Sequence, residues 1–212
     1  MSWFYYFARL MVRVLLFFTR FELTGKENIP AEGALIVVAN HLSLADPPIL
    51  GTVVPRKMVF MAKQELFRSS ISGYFVRSFG AFPVHREKPG IKAIREAEEV
   101  LNRGMALAIF PEGRRSQTGG LGEASPGVAF IARHSGAPIL PVGISGTEKI
   151  RGIGWLFRRP HIRIRIGLPF NPVSDGQQPG KTAYKELTDE IMRHVAELLP
   201  AEYGGTDANK GY

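Results

Sequence analysis

The sequence predicts an α/β fold: a mostly parallel mixed sheet flanked by helices, preceded by an amino-terminal interfacial membrane helix. Three observations predict it. Short apolar, β-branched runs alternate with segments of helical spacing, the pattern of strands joined by crossover helices. The 212 residues suffice for one sizeable core and are few for two. The first eighteen residues carry an apolar stripe of helical period that stands apart from that alternation. The chain therefore divides into an amphipathic membrane-associating helix (residues 1–20), one main domain (21–200) and a disordered tail (201–212).

In the first segment Trp3, Phe4, Phe7, Leu10, Met11, Val14, Leu15 and Phe18 recur at helical spacing, and Arg9 and Arg13 lie four apart on one side. No uncharged run nears the roughly 20 residues that a bilayer-spanning helix needs. A signal peptide fits poorly, because no charge precedes the apolar run and no small-residue cleavage site follows it. One reading is a helix in the interface, with Trp3, Tyr5 and Tyr6 at head-group level and the two arginines toward phosphates. An ordinary amphipathic helix packed on the domain is the other. The scarcity of polar positions favours the first.

Residues 34–39 (ALIVVA) read as a buried strand, and a helix begins at Pro47. Residues 59–62 form a short strand and 80–84 another. The Ala, Glu and Arg content of residues 91–102 predicts a helix that Gly104 stops. Strand 105–110, helix 128–134 with Gly136 behind it, and strand 139–144 follow. Residues 161–167 (HIRIRIG) alternate strictly, so they form a strand with one wet face. Residues 182–199 are a final amphipathic helix, and the Gly-rich polar residues after Pro200 are the tail.

Composition narrows the function. Hydrophobic residues at 45% and charged residues at 22% are an ordinary globular balance, which argues against a low-complexity chain. The absence of cysteine excludes disulfides, a cysteine nucleophile and thiolate metal sites, and fits a reducing compartment. A net charge of +8 points to a polyanionic partner: nucleic acid, an anionic membrane or a phosphorylated substrate. Nothing resembles a nucleic-acid motif, so membrane lipids are the expected partner and nucleic acid is not. The five histidines show no paired ligand spacing and there is no H-E-x-x-H, so no metal is expected.

In open α/β sheets ligands bind beyond the carboxyl ends of the strands. The residues following the predicted strands are Asn40-His41, then His85-Arg86, then Pro111-Glu112-Gly113-Arg114-Arg115-Ser116. A base, a carboxylate and several arginines thus converge on one rim. In an extended chain His41 and Asp46 would stand about 17 Å apart, so they touch only across a turn, which Pro47-Pro48 favours. Asp46 then either holds one ring nitrogen of His41, freeing the other to take a hydroxyl proton, or merely caps the next helix. The two adjacent arginines either present donor forks to a phosphate, with Glu112 orienting one fork or binding a substrate hydroxyl, or form a solvated loop.

Taken together, these segments resemble the glycerolipid acyltransferase family, notably its bacterial 1-acylglycerol-3-phosphate O-acyltransferases. The family's N-H-x-S-x-x-D block is matched by Asn40, His41, Ser43 and Asp46. A second block leading to an Arg is matched by Gly80, Phe82, Val84 and Arg86, and F-P-E-G-T-R-S by Phe110, Pro111, Glu112, Gly113, Arg115 and Ser116. A P-x-x-P strand is matched by Pro138, Ile139, Leu140 and Pro141. All four blocks keep the family's order, over roughly residues 25–167. Arg114 stands where the family has Thr, and Ser125-Pro126-Gly127 lacks a common basic position.

The resemblance implies acyl transfer from a coenzyme A or acyl carrier protein thioester to the free hydroxyl of 1-acylglycerol 3-phosphate, giving phosphatidate for phospholipid biosynthesis. His41 and Asp46 are then catalytic. Arg86, Glu112, Gly113, Arg114, Arg115, Ser116 and Lys63 bind substrate, the strand at 138–144 either lines the acyl site or is an ordinary core strand, and no cofactor beyond the co-substrate is needed. Work at the cytoplasmic face of the membrane, as a peripheral or monotopic protein, follows from the same resemblance. Other acceptors remain within this class, a different lysophospholipid or a lyso-aminolipid. A serine hydrolase would need G-x-S-x-G, but residues 143–147 (GISGT) end in Thr. A non-catalytic membrane module would not need His41 and Asp46.

Overall fold

A computed structural model of the chain describes residues 3–84, 91–172 and 180–205. Among them seven strands form one sheet. They are β1 (Arg20–Thr24), β2 (Leu35–Ala39), β3 (Met58–Lys63), β4 (Ala81–Val84), β5 (Ala106–Ile109), β6 (Ile139–Ser145) and β7 (His161–Ile166). The order across the sheet is β1-β7-β6-β2-β5-β3-β4. Strands β6, β2, β5, β3 and β4 run parallel, β7 is antiparallel to β6, and β1 is parallel to β7. The sheet is therefore mixed and mostly parallel, as expected. The helices are α1 (Trp3–Phe17), α2 (Asp46–Val53), α3 (Ser70–Ser78), α4 (Ile91–Asn102), α5 (Gly127–Ser135), α6 (Trp155–Arg158) and α7 (Lys181–Ala196).

Strand β2 is buried at all five positions, because helices cover both faces of the parallel region. On one face Leu35, Val37 and Ala39 pack with Phe60 and Ala108 under Leu16 of α1 and Ile49, Leu50 and Val53 of α2. On the other, Ile36 and Val38 pack with Ala97 and Leu101 of α4, Ile131 of α5, and Leu187, Ile191 and Val195 of α7. The i, i+4, i+8 spacing of those last three is the helical stripe that buries α7. In β7, Ile162, Ile164 and Ile166 point inward while His161, Arg163 and Arg165 are half-exposed, the alternation its sequence predicts.

The elements read from sequence are present, with ends shifted by a few residues at most. Strand β1 and helices α3 and α6 were not legible. Strand β1 is five residues long with two charges, pairs only with β7 and lies at the sheet edge, so its pattern is too short and too polar to separate from a loop. Helices α3 and α6 are also short, and α3 owes its start to Ser69, whose hydroxyl accepts from the Ser72 amide.

Helix α1 is packed on the domain along one side and exposed along the other. Tyr5, Ala8 and Leu16 are buried against the domain, while Tyr6, Phe7, Leu10, Met11, Val14, Leu15, Phe17 and Phe18 remain exposed. Two details correct the sequence reading. Tyr5 is 2% exposed, so it does not stand at head-group level. Arg9 does not face outward either: its Nη2 donates to the Thr52 and Val54 carbonyls, both at 3.1 Å, tying α1 to the end of α2. Among the described residues, no helix is long and apolar enough to cross a membrane.

The tail also needs correction. Residues Ala201–Tyr203 form a 3-10 turn and Tyr203 is buried. Its carbonyl accepts from the Leu121 amide at 3.1 Å, and its hydroxyl donates to Glu148 Oε1 at 2.8 Å and accepts from the Gly146 amide at 3.2 Å. The aromatic ring and its hydroxyl outweigh the Gly-rich composition that follows; residues 206–212 lie outside the described chain.

Burial, and then the Glu148 carboxylate, push the Tyr203 hydroxyl from 10.0 up to about 12. A pKa raised on folding adds stability that is complete below the unfolded value and lost as pH climbs toward the folded one. Tyr203→Phe is therefore expected to remove a phenolate transition near pH 12 from the ultraviolet titration and to flatten part of the stability loss between pH 10 and 12. At neutral pH the orphaned Gly146 amide and Glu148 oxygen should cost about 1–3 kcal/mol in denaturant unfolding. A wild-type-minus-variant phenolate signal centred near 10 would contradict this contact.

Candidate active site

The order β6-β2-β5 sets three carboxyl ends side by side, and each delivers one part of the site. Central strand β2 runs into Asn40 and His41, β5 into Phe110 and Glu112, and β6 into Gly146 and Thr147. Asn40 locks the first and last of these together. Its side-chain amide donates to the Ile144 carbonyl at 2.8 Å and its oxygen accepts from the Ile144 amide at 2.7 Å, continuing the sheet pairing with a side chain.

His41 Nδ1 lies 2.8 Å from Asp46 Oδ2, and Asp46 is completely buried. The same Oδ2 accepts from the Leu42 and Ser43 amides, each at 2.7 Å, while Oδ1 accepts from the Thr147 hydroxyl at 2.6 Å. Every neighbour of this carboxylate is a donor, so Nδ1 carries the imidazole proton and Nε2 presents its lone pair. Nε2 has no hydrogen-bond partner among the described residues, and His41 borders the cleft. The capping alternative for Asp46 is excluded by geometry. Asp46 is the first residue of α2, behind Ala45, and its carboxylate turns back over residues 41–43 instead of capping the helix.

A second set of bonds fixes the His41 backbone. Its amide donates to Glu112 Oε1 at 2.9 Å, and its carbonyl accepts from the Ser116 amide at 2.8 Å. Glu112 Oε2 accepts from the Gly122 amide at 3.2 Å. Burial raises the Glu112 carboxyl above its usual range, against the lowering effect of these two amides. Glu112 therefore orients the histidine loop, and among the described residues its carboxylate steers no arginine fork. Ser116 meets His41 through its backbone amide. Gly113, at φ 64°, makes the tight turn after β5 that returns the chain to His41. The Phe110 ring stacks on the imidazole at 4.4 Å between centroids.

Beside His41 opens a cleft of about 590 Å³. Pro47 of α2, Phe60 and Lys63 of β3, Phe79 beyond α3, and Ile131 of α5 represent its mostly apolar lining. Arg115 and Gly113 stand on its border. Lys63 is thus a cleft residue as expected, although its ammonium also lies 3.2 Å from Glu65. Arg114 and Arg115 are both exposed, and Arg115 is the one bordering the cleft. Arg86 lies outside the described residues. Strand β6 was expected to line the acyl site; it is buried between β2 and β7 and none of its residues borders the cleft, whose walls come from β3, α3, β4 and α5.

Sequence reasoning passed over Thr147, although it occupies a strand exit like those that revealed His41 and Glu112. The segment was weighed only as a nucleophile elbow. Ser145 is a buried strand residue paired with Arg163, not an exposed elbow. Gly146 has φ 85°, and a Cβ there would sit 1.9 Å from the His161 carbonyl oxygen, so only glycine permits the turn that aims Thr147 at Asp46. Among the described residues no group of three or more His, Asp or Glu is placed to hold a metal ion.

A family profile described as Acyltransferase matches residues 20–145, more than half of the chain. The 1-acyl-sn-glycerol-3-phosphate acyltransferase of Bacillus subtilis is 29% identical over 181 residues, covering 84% of this chain and 87% of that protein. That of Streptococcus pneumoniae is 32% identical over 174 residues, covering 81% of this chain and 60% of that protein. The crystal structure of the 1-acyl-sn-glycerophosphate (LPA) acyltransferase PlsC from Thermotoga maritima aligns with a TM-score of 0.68 at 28% identity, over 92% of this chain and 79% of that one. The matched span runs from the start of β1 to the end of β6 and encloses His41, Asp46 and the Glu112 loop: this chain is an enzyme of the acyltransferase family.

Proposed function

We propose that the enzyme transfers a fatty acyl group from a coenzyme A or acyl carrier protein thioester to the free hydroxyl of 1-acylglycerol 3-phosphate, giving phosphatidate. The observation that carries this reading is a histidine base, held by a buried carboxylate, at the border of an apolar cleft that also carries Arg115. The names of the relatives support the acceptor.

In this mechanism His41 Nε2 accepts the hydroxyl proton as the acceptor oxygen attacks the thioester carbonyl. The carbon–sulfur bond breaks from the tetrahedral adduct, and the departing thiolate receives the proton from the imidazolium. Asp46 stabilises that imidazolium through Nδ1–H. Arg115 holds the acceptor phosphate, a role that the family resemblance also gives to Arg86 and Arg114, and so fixes the hydroxyl near Nε2. The cleft takes acyl chain, since its lining offers little but hydrocarbon. The exposed face of α1 supports work at a membrane, at the cytoplasmic surface where soluble thioesters meet lysolipid.

His41→Ala is expected to lose about 10²–10⁴-fold in turnover while remaining folded. Thr147→Val removes one donor from Asp46 and should lower kcat about tenfold with acceptor KM retained, since hydrogen bonds to charged groups are worth roughly 1.5–3 kcal/mol. Near-normal kcat in the first variant would sink the mechanism; in the second it would reduce Thr147 to a packing residue.

Arg115→Ala should raise the acceptor KM about 10- to 100-fold, the scale of a lost charge-assisted bond, and leave the donor KM nearly unchanged. A rise confined to the donor would reassign Arg115 to the thioester's own phosphates.

Leu10→Glu combined with Val14→Glu alters exposed positions only, so the melting temperature should hold while sedimentation with anionic vesicles drops. Undiminished sedimentation would take α1 out of membrane contact.

A further inference from the structure

The connection between β6 and β7 carries a surface that acyl transfer does not use. From Lys149 to Pro160 the chain reads Lys-Ile-Arg-Gly-Ile-Gly-Trp-Leu-Phe-Arg-Arg-Pro, with Lys149, Arg151, Arg158 and Arg159 and no carboxylate. Phe157 is 88% exposed and Ile153 79%, above half-buried Trp155 and Leu156. The segment is built rather than loose. Leu156 N–H donates to the Ile153 carbonyl, Arg158 N–H to Gly154, and Arg158 Nη2 to Arg151. Arg159, at φ 45°, ends the short helix α6 in the left-handed region, and buried Pro160 follows. Large apolar side chains are thus held outward, an arrangement that marks a contact surface.

Two observations choose what that surface meets. The Pro160 carbonyl accepts from the Arg20 amide at 3.0 Å, so the connection adjoins the end of α1, where Phe17 is 79% and Phe18 44% exposed. The connection is therefore tied, through Pro160, to the start of β1 just beyond the apolar end of α1. Its four cations, unopposed by any acid within the segment, complement anionic head groups around an acyl layer. We propose that the β6–β7 connection is a second membrane contact, with Phe157 and Ile153 entering the acyl boundary of an anionic bilayer and Arg151, Arg158 and Arg159 on lipid phosphates. This rests on the reading that the enzyme works at a bilayer. The connection leaves the same rim as His41 and begins with Gly146 and Thr147, so it brings the bilayer to the edge from which lysolipid must enter.

The two tryptophans of the chain separate the two contacts, since Trp3 lies in α1 and Trp155 in the connection. In a Trp3→Phe protein, vesicles of mixed phosphatidylglycerol and phosphatidylcholine should shift Trp155 emission to the blue, and lipids brominated on their acyl chains should quench it. Phe157→Ser with Ile153→Ser should weaken vesicle partitioning about tenfold or more and leave turnover on a short-chain, freely soluble acceptor unchanged. If Trp155 stays silent while Trp3, observed in Trp155→Phe, responds, this inference fails and α1 alone touches lipid. Silence from both overturns the bilayer reading itself. A Trp155 response to a soluble acidic acyl carrier protein but not to vesicles would make the surface a protein-docking site and equally refute the proposal.

Discussion

A carboxylate withdrawn from water must find donors for its oxygens, and Asp46 finds four of them in two segments. Its own loop supplies the Leu42 and Ser43 amides and the His41 imidazole, and the β6 exit supplies the Thr147 hydroxyl. Leaving such a group buried with a partner removed costs several kcal/mol, so the loop around it has little freedom to rearrange. The curl of residues 40–46, the tautomer of His41 and the approach of the β6–β7 connection all follow from that requirement.

The sheet makes the requirement attainable. Parallel neighbours β6, β2 and β5 bring their carboxyl ends to one rim, so residues over a hundred positions apart meet without any long loop. Asn40 extends this pairing past the end of β2, and Glu112 and Ser116 grip the His41 backbone from the β5 side. Three segments therefore hold one imidazole from three directions. Glu112 performs this task at the cost of burying a carboxyl, as its raised pKa shows. Precise placement of a base relative to a bound hydroxyl is where an enzyme of this kind can gain most.

Helix α1 shows how one short segment can be fastened on one side and left apolar and exposed on the other. Tyr5, Ala8, Leu16 and the Arg9 guanidinium fasten it to the sheet and α2, and the opposite side presents apolar residues outward. A helix apolar nearly all round is otherwise found inside a large core or in lipid. The docked face fixes the orientation of the exposed one, which a tethered, freely rotating helix could not do.

The α/β class, the alternation of strands and helices, and the positions of His41, Asp46 and the Glu112 segment were legible from sequence. Buried parallel strands must be apolar throughout, and chemistry gathers where they end. The sequence could not say which strands are neighbours, because sheet order depends on pairings among distant residues. That order alone decides that Thr147 reaches Asp46, that Glu112 grips the His41 backbone, and that β3, α3 and α5 rather than β6 wall the cleft. Edge strand β1 and the Tyr203 turn were hidden for the same reason: each is too short to show a period, and each is ordered by what it packs against. Local patterns record which face of an element is apolar, whereas the partner of a buried polar group is chosen only when the whole sheet has closed.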